Sequence, residues 1–555
     1  MKKRVLTFLM ALIMVMTLSA TANAEEAERT GDVVILYTSD VHCGVDQGFG
    51  YAGLQAIREH LIAQGDDVIL VDDGDNIQGE PIGTMTKGEI PLELMNAMKY
   101  DVAIPGNHEF DYGMEQFLAL AEKANFPYIS CNFNKNGEMI FEPYVIKEAG
   151  GTKIAFVGVC TPETLVSSTP RYFQDENGSF IYGFLQDGTG EALYSAVQSA
   201  IDAARGEGAE YVVVMGHLGN YAQSSPYNYG DVISHITGLD VFLDGHSHDT
   251  DQVVMKDRNG HEVIRSACGT KLANIGWCRI DTDGKVTAGL YTWNNDTSVP
   301  ALLGLKNNMS QAVEEALSKL DKELDTVVAQ TAVDLTINDP EAVDAGGNPI
   351  RMVRRAETNL GDLCADAYRD QSGADIGMII GGGVRESIAA GGIALKDILR
   401  IHPFGNEMCV IKVTGQQILD ALEWGSRAVP EENGGFLQVS GMSYEIHTYV
   451  ESTCTEDENR CFTGVEGERR VRNVLVCGEP IDPMATYTVA SVDYTLLDKG
   501  DGYSMFEGAE ILQDRVKLDN QVLIDYITQT LGGVVGEEYD VLTGQGRIVI
   551  VEEKP

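Results

Sequence analysis

The sequence predicts an α/β protein built of two layered domains, and three observations predict it. Six short apolar runs rich in Val and Ile recur between Asp32 and Asp296, each followed by a polar loop and a stretch of helical character. The pattern gives way near residue 306 to a charged amphipathic segment, and a second alternation of strand-like and helix-like stretches starts near Thr331. A chain of 555 residues is also too long for a single hydrophobic core.

Residues 1–24, "MKKRVLTFLMALIMVMTLSATANA", join three basic residues, an apolar run and a small-residue end, the three parts of a secretory signal peptide. Cleavage is expected after Ala24. The apolar part is short for a membrane span, no lipid-attachment Cys follows it, and the C-terminal "GRIVIVEEKP" carries no anchor signal, so an exported protein without a stable membrane anchor is expected.

Residues 25–305 carry the runs "VVILYT", "DVILVD", "VAIP", "KIAFVGV", "YVVVMG" and "DVFLDG", which suit strands buried on both faces. Stretches such as "GLQAIREHLIAQ" and "GMEQFLALAEKAN" supply the covering helices. Residues 306–330, "NNMSQAVEEALSKLDKELDTVVAQ" at their centre, read as a linker helix with Ser310 as N-cap. In residues 331–555, "ETNLGDLCADAYRDQ" predicts a helix, "ADIGMIIGGGVR" a strand entering a glycine loop, and "TGQQILDALEWGSR" a helix capped by Thr414. The runs "CVIKV", "YEIHTYV" and "TYTVASV" read as strands.

The formal net charge is −44, and removal of Lys2, Lys3 and Arg4 with the leader makes it more negative still. That excludes a long nucleic-acid partner, because phosphate backbones are held by Lys and Arg. A small anion needs metal ions or a few placed arginines to reverse the local field. Ten cysteines are few for an exported chain of this length; Cys454 and Cys461, flanking "TEDENR", are the expected disulfide pair.

Polar residues cluster where the first-domain runs end. "VVILYTSDVH" ends in Asp40 and His42, "DVILVDDGD" in Asp75, "VAIPGNHEFD" in Asn107, His108 and Asp111, "YVVVMGH" in His217, and "DVFLDGHSH" in His246 and His248. Each group alone is ordinary turn and cap chemistry. Parallel strands would bring all five segments to one sheet edge, where α/β ligand sites form, and five of the ten histidines sit there. Mixed imidazole and carboxylate ligands suit a borderline-hard divalent metal, and two ions about 3.5–4 Å apart can share one carboxylate. Cys43, beside His42, reads as packing rather than as a soft ligand.

The set "DVH", "GD", "GNHEFD", "GH", "GHSH" resembles the calcineurin-like metallophosphoesterases, and its order with the C-terminal half resembles the 5'-nucleotidase family over nearly the whole mature chain. The resemblance implies a four-layer α/β/β/α metallophosphoesterase sandwich followed by a second α/β substrate-binding domain. It implies two divalent metal ions (Zn, Mn or Co), with Asp40, His42 and His248 on one, Asn107, His217 and His246 on the other, and Asp75 bridging. Relatives often carry Asn or Gln where this chain has His248. His108 and Asp111 match the family's catalytic pair, and the two ions would ready a water to attack phosphorus.

In the second domain the resemblance makes Arg354 and Arg385 anion-binding, as the planar fork of Arg suits phosphate. It makes Phe404 one of two aromatics around a base, Tyr494 the other, and Asp501 the acid that meets the ribose. Two departures stand out: Tyr494 lies one residue further from Asp501 than the pattern has it, and Ile380 replaces a frequent base-reading Asn. The expected function is an exported, metal-dependent nucleotide phosphohydrolase acting on nucleoside 5'-monophosphates. The alternatives are a 2',3'-cyclic-nucleotide phosphodiesterase with 3'-nucleotidase activity, a UDP-sugar hydrolase, or a non-catalytic exported nucleotide-binding or adhesive protein.

Overall fold

The computed structural model describes residues 31–293, 306–320, 324–343 and 349–554; the expected leader, residues 1–24, lies outside the described residues. The first domain holds strands β1 (Val33–Thr38), β2 (Asp67–Asp72), β3 (Val102–Ala103), β4 (Tyr144–Ala149), β5 (Thr152–Cys160), β6 (Tyr211–His217), β7 (Val241–Asp244), β8 (Gln252–Lys256), β9 (Glu262–Ala267), β10 (Asn274–Ile280) and β11 (Val286–Thr292). They form two sheets, ordered β11-β10-β1-β2-β3 and β8-β9-β7-β6-β5-β4. β1, β2 and β3 run parallel in the first, and β5, β6, β7 and β9 run parallel in the second.

The continuous apolar runs are explained by burial on both sides. Ile35, Val71 and Val102 of one sheet meet Phe156, Val213 and Leu243 of the other in a shared core. On the outer face of the first sheet, Leu36 and Leu70 lie under helices α1 (Gly50–Gln64) and α2 (Glu89–Met98). Val157 and Val214 lie likewise under α3 (Glu191–Gly206) and α4 (Tyr229–His235). Four layers result, α/β/β/α. The expectation that all the strand ends lie on one edge of one sheet is therefore corrected: two stacked sheets deliver their parallel C-terminal ends to one place.

The segment read as a single linker helix divides. α5 (Asn308–Ser318) buries Met309, Val313 and Ala316 in the first domain's outer layer. Its N-cap is Asn307, not Ser310: the Asn307 side chain accepts the Ser310 N–H at 2.9 Å while Ser310 Oγ accepts the Asn307 N–H at 2.8 Å. Ser310 closes a capping box from its third position. Val327–Thr331 is strand β12, which joins the second domain through β13 (Gly391–Ala394) and the short strand Val534–Val535.

The second domain centres on a five-stranded mixed sheet that carries Ile376–Ile380, Met408–Thr414 and Thr486–Val492. The helix Gly415–Gly425 starts as expected at Thr414, whose Oγ1 accepts the Gln417 N–H at 3.3 Å. The expected Cys454–Cys461 disulfide is absent, both being free thiols. The hairpin register pairs Cys454 with Val465 and leaves Cys461 at the turn.

Candidate active site

Tight turns after the strand ends aim the polar side chains inward. Asp40, His42, Asp75, His246 and His248 all have left-handed backbones, with φ of 51°, 46°, 58°, 81° and 62°. Strain of this kind in non-glycine residues persists only where its surroundings enforce it, and it gathers at functional sites. Glycines make room for the convergence. A Cβ on Gly106 would lie 2.3 Å from Asp75 Oδ1, and one on Gly245 would lie 2.1 Å from Ser39 Oγ.

His42 Nε2 lies 3.2 Å from His248 Nε2 and 3.9 Å from Asp75 Oδ2, and His248 Nε2 lies 3.4 Å from Asp40 Oδ1. His217 Nε2 lies 3.1 Å from Asp75 Oδ2, and His246 Nδ1 lies 2.9 Å from Asn107 Oδ1. Asp40, His42 and His248 form one group able to hold a metal ion, and Asp75, His217 and His246 form another. The tautomers support this fit. His217 Nδ1 is 2.7 Å from the Asp73 carbonyl and His42 Nδ1 is 3.0 Å from the Gln78 carbonyl, so each Nδ1–H donates there and each Nε2 is the atom turned to the cluster. Without a metal, protons fill these gaps: burial opposes charge on His217, but the Asp75 carboxylate outweighs it and raises its pKa well above the ordinary value, so that Nε2–H donates to Asp75, and one of the His42 and His248 Nε2 atoms donates to the other. A bound cation would take the place of those protons. Burial lowers the His42 and His248 pKa values, for His248 with help from Arg351 and Arg385, and so favours the neutral, ligating form.

Two buried residues that sequence reasoning missed hold these loops. Glu109 accepts the N–H groups of Asp75 at 2.8 Å, Asn76 at 2.9 Å and Gly106 at 2.6 Å, tying the β2 and β3 turns together. Burial, with the Asp75 charge, lifts its pKa to about 7. Arg265, fully buried on β9, donates to Asp244 Oδ2 at 2.8 Å and to Asp249 and Asp251, and stacks over the Tyr229 ring. Asp244 Oδ1 in turn accepts the Leu218 N–H at 3.0 Å, so one guanidinium braces the loops that carry His217, His246 and His248. Glu109 sits inside the quoted "GNHEFD" and could have been weighed as a buried acid; nothing local in the sequence marks Arg265.

His108 projects at the cluster's edge, its Nδ1 2.6 Å from Asp111 Oδ2, while Ser168 donates to the other Asp111 oxygen at 2.8 Å. Burial opposes charge on His108, but the Asp111 and Asp75 carboxylates outweigh it and raise its pKa. Cys43 is a buried thiol against the Asn76 carbonyl, in keeping with packing.

Across a cleft of about 170 Å³, the second domain contributes Arg354, Arg385, Phe404, Tyr494 and Asp501. Arg351 joins them, bonded to Tyr221 Oη at 3.0 Å and Glu432 Oε2 at 2.7 Å. It belongs to "IRMVRR", a basic run in an acidic chain, and that contrast was the available signal. Neither Arg354 nor Arg385 has a carboxylate partner among the described residues, and burial together with neighbouring arginine charge lowers the pKa of both. The aromatics line the same cleft without forming a ring pair. Phe404 stacks on His108 (5.5 Å, 22°), whereas Tyr494 is nearly buried, its hydroxyl donating to the Val166 carbonyl and accepting the Asp501 N–H.

The fold and this cluster define a metallophosphoesterase domain facing a second, ligand-facing domain. The family model for calcineurin-like phosphoesterase matches residues 33–250, and that for the 5'-nucleotidase C-terminal domain matches residues 327–508. The chain belongs to the 5'-nucleotidase family and is a phosphoric ester hydrolase of the nucleotide-phosphohydrolase type. It is similar to protein UshA of Escherichia coli (25% identical, covering 94% of this chain and 95% of that one) and to a 5'-nucleotidase of Vibrio cholerae (25% identical, 92% of each). In fold it is similar to a 5'-nucleotidase precursor from Thermus thermophilus (TM-score 0.76, 24% identical, covering 94% of this chain and 100% of that one). Among the described residues no helix is long and apolar enough to cross a membrane.

Proposed function

We propose that this chain is an exported hydrolase that releases phosphate from nucleoside 5'-monophosphates, holding one divalent ion with Asp40, His42 and His248 and a second with Asn107, His217 and His246, with Asp75 shared. The observation that carries this reading is the facing of two adjacent His/Asp groups and unpaired Arg354 and Arg385 across one cleft. When bound, the ions supply an activated water at neutral pH and draw charge from the phosphoryl oxygens.

The chain's own residues do the rest. Arg354 and Arg385, with Arg351 beside them, hold the phosphate by charge-assisted bonds. His108, kept protonated by Asp111, stabilises charge on the leaving oxygen. Asp501 faces the ribose, and Phe404 and Tyr494, which line the same cleft, flank the base. A cavity of about 810 Å³ on the far side of the arginines shares His248, Arg351, Arg354 and Arg385 with the cleft, and it supports a second reading in which the phosphate carries a further group, as in UDP-sugars.

The test is phosphate release from metal-stripped protein resupplied with Mn²⁺, Zn²⁺ or Co²⁺, on a panel of 5'-, 3'- and 2',3'-cyclic nucleotides and UDP-glucose. Turnover that survives stripping, or none with any metal and substrate, overturns the reading. His108→Ala should lower kcat about 10²–10⁴-fold at unchanged metal content; an undiminished rate removes His108 from the mechanism.

A further inference from the structure

His246 differs from the other imidazoles of the cluster in the atom it turns inward. Its Nδ1 faces Asn107 Oδ1 at 2.9 Å, while its Nε2 points away from the cluster to Glu163 Oε2 at 3.5 Å. Glu163 lies just past the C-terminal end of β5, and among the described residues no group able to hold a metal ion contains it. It has two further partners: Ser224 Oγ donates to Oε2 at 2.8 Å, and Arg460 Nη2 lies 3.1 Å from Oε1. Arg460 belongs to the second domain, in the turn of the Cys454–Val465 hairpin, and its Nη1 also reaches the Ser225 carbonyl at 3.1 Å and Glu456 at 3.0 Å.

The tautomer of His246 decides what this chain of contacts does. With the proton on Nδ1, the Nε2 lone pair would face an anionic carboxylate and Nδ1 could not ligate. With the proton on Nε2, the imidazole donates to Glu163 and presents the Nδ1 lone pair beside the Asn107 oxygen, two acceptors that a cation would join. An outer carboxylate that takes the distal N–H fixes ring orientation and raises ligand basicity.

We propose that Glu163 is a positioning residue that makes His246 an Nδ1 ligand, and that Arg460, reaching across from the second domain, holds Glu163 in place. Metal affinity at the position containing His246 then depends on docking of the second domain. This rests on the two-ion reading above, and the experiment separates the two.

Mn²⁺ is titrated calorimetrically into the stripped mature protein, wild type and variants. Two binding events in the wild type uphold the two-ion reading; fewer overturn that reading and this proposal with it. Given two events, Glu163→Gln is expected to weaken one about 10–100-fold and leave the other alone. Arg460→Gln should weaken the same event by less, Arg460→Lys should recover part of the loss, and the double variant Glu163→Gln/Arg460→Gln should be no weaker than Glu163→Gln alone, because both act through one contact. Wild-type affinities in Glu163→Gln or in Arg460→Gln, or losses that add in the double variant, overturn the proposal while leaving the two-ion reading standing. Should Glu163→Gln fail to fold, Arg460→Gln in the other domain decides alone, an unchanged second event being the negative result.

Discussion

Arg265→Met would remove the cation that serves three carboxylates at the back of the site. Met keeps the apolar stem of Arg but loses the guanidinium that lies over the Tyr229 ring, so the loss is mainly electrostatic, the cation–π contact included. Arg265 and Asp244 are both 0% exposed, whereas Asp251 is 47% exposed and well screened. Breaking a buried pair by removing one partner costs about 3–5 kcal/mol, and at about 2 °C per kcal/mol for a domain of this size the first unfolding transition should fall by about 6–10 °C. The sign of the pH dependence follows from the carboxylates. Burial already raises Asp244, and burial with Asp249 lifts Asp251 to about 6; without the guanidinium both rise further. The folded variant then binds protons that the unfolded chain does not, so its deficit is smallest near pH 4 and grows as pH climbs through 6. Scanning calorimetry of wild type and variant at pH 5 and pH 7.5 reads both quantities. A fall under about 2 °C at pH 7.5, or a deficit that grows toward acid, refutes the reasoning.

Asp111→Asn strips His108 of the neighbour that most raises its pKa, so the limb of the kcat profile where rate falls with rising pH should move to lower pH; a limb that stays put in a phosphate-release profile denies the pairing its role. Gly106→Ala places a Cβ within 2.3 Å of Asp75 Oδ1 and 2.8 Å of His217 Cε1, and it should abolish tight binding of at least one Mn²⁺ in equilibrium dialysis. Arg354→Met should raise KM for a nucleoside monophosphate about 10–100-fold, the worth of a charge-assisted bond, with a smaller change in kcat; an unchanged KM would place the phosphate elsewhere.

Much of the architecture was legible because burial on both faces writes itself as unbroken Val/Ile runs, and those runs end in polar residues wherever a turn enters a site. The same rule, applied to "KIAFVGVCTPE", would have led to Glu163, three residues past the end of β5 at Cys160, as it led to His217 at the end of β6. Residues 319–331 misled because a charged helical pattern runs into "VVAQT", and only pairing with β13 shows that stretch to be a strand. Cys454 and Cys461 misled because spacing carries no register.

By itself, the sequence determined which side chains could do chemistry here: composition and strand-end position are local properties, set by the alternation of apolar runs and turns. The tertiary structure alone decided which of those side chains meet. His42 and His248 are 206 positions apart, and Arg265, Asp249 and Asp244 form one ion cluster only because β7 and β9 lie side by side. Such contacts arise from sheet order and domain docking, which are fixed by the packing of distant apolar faces and leave no periodic trace along the chain.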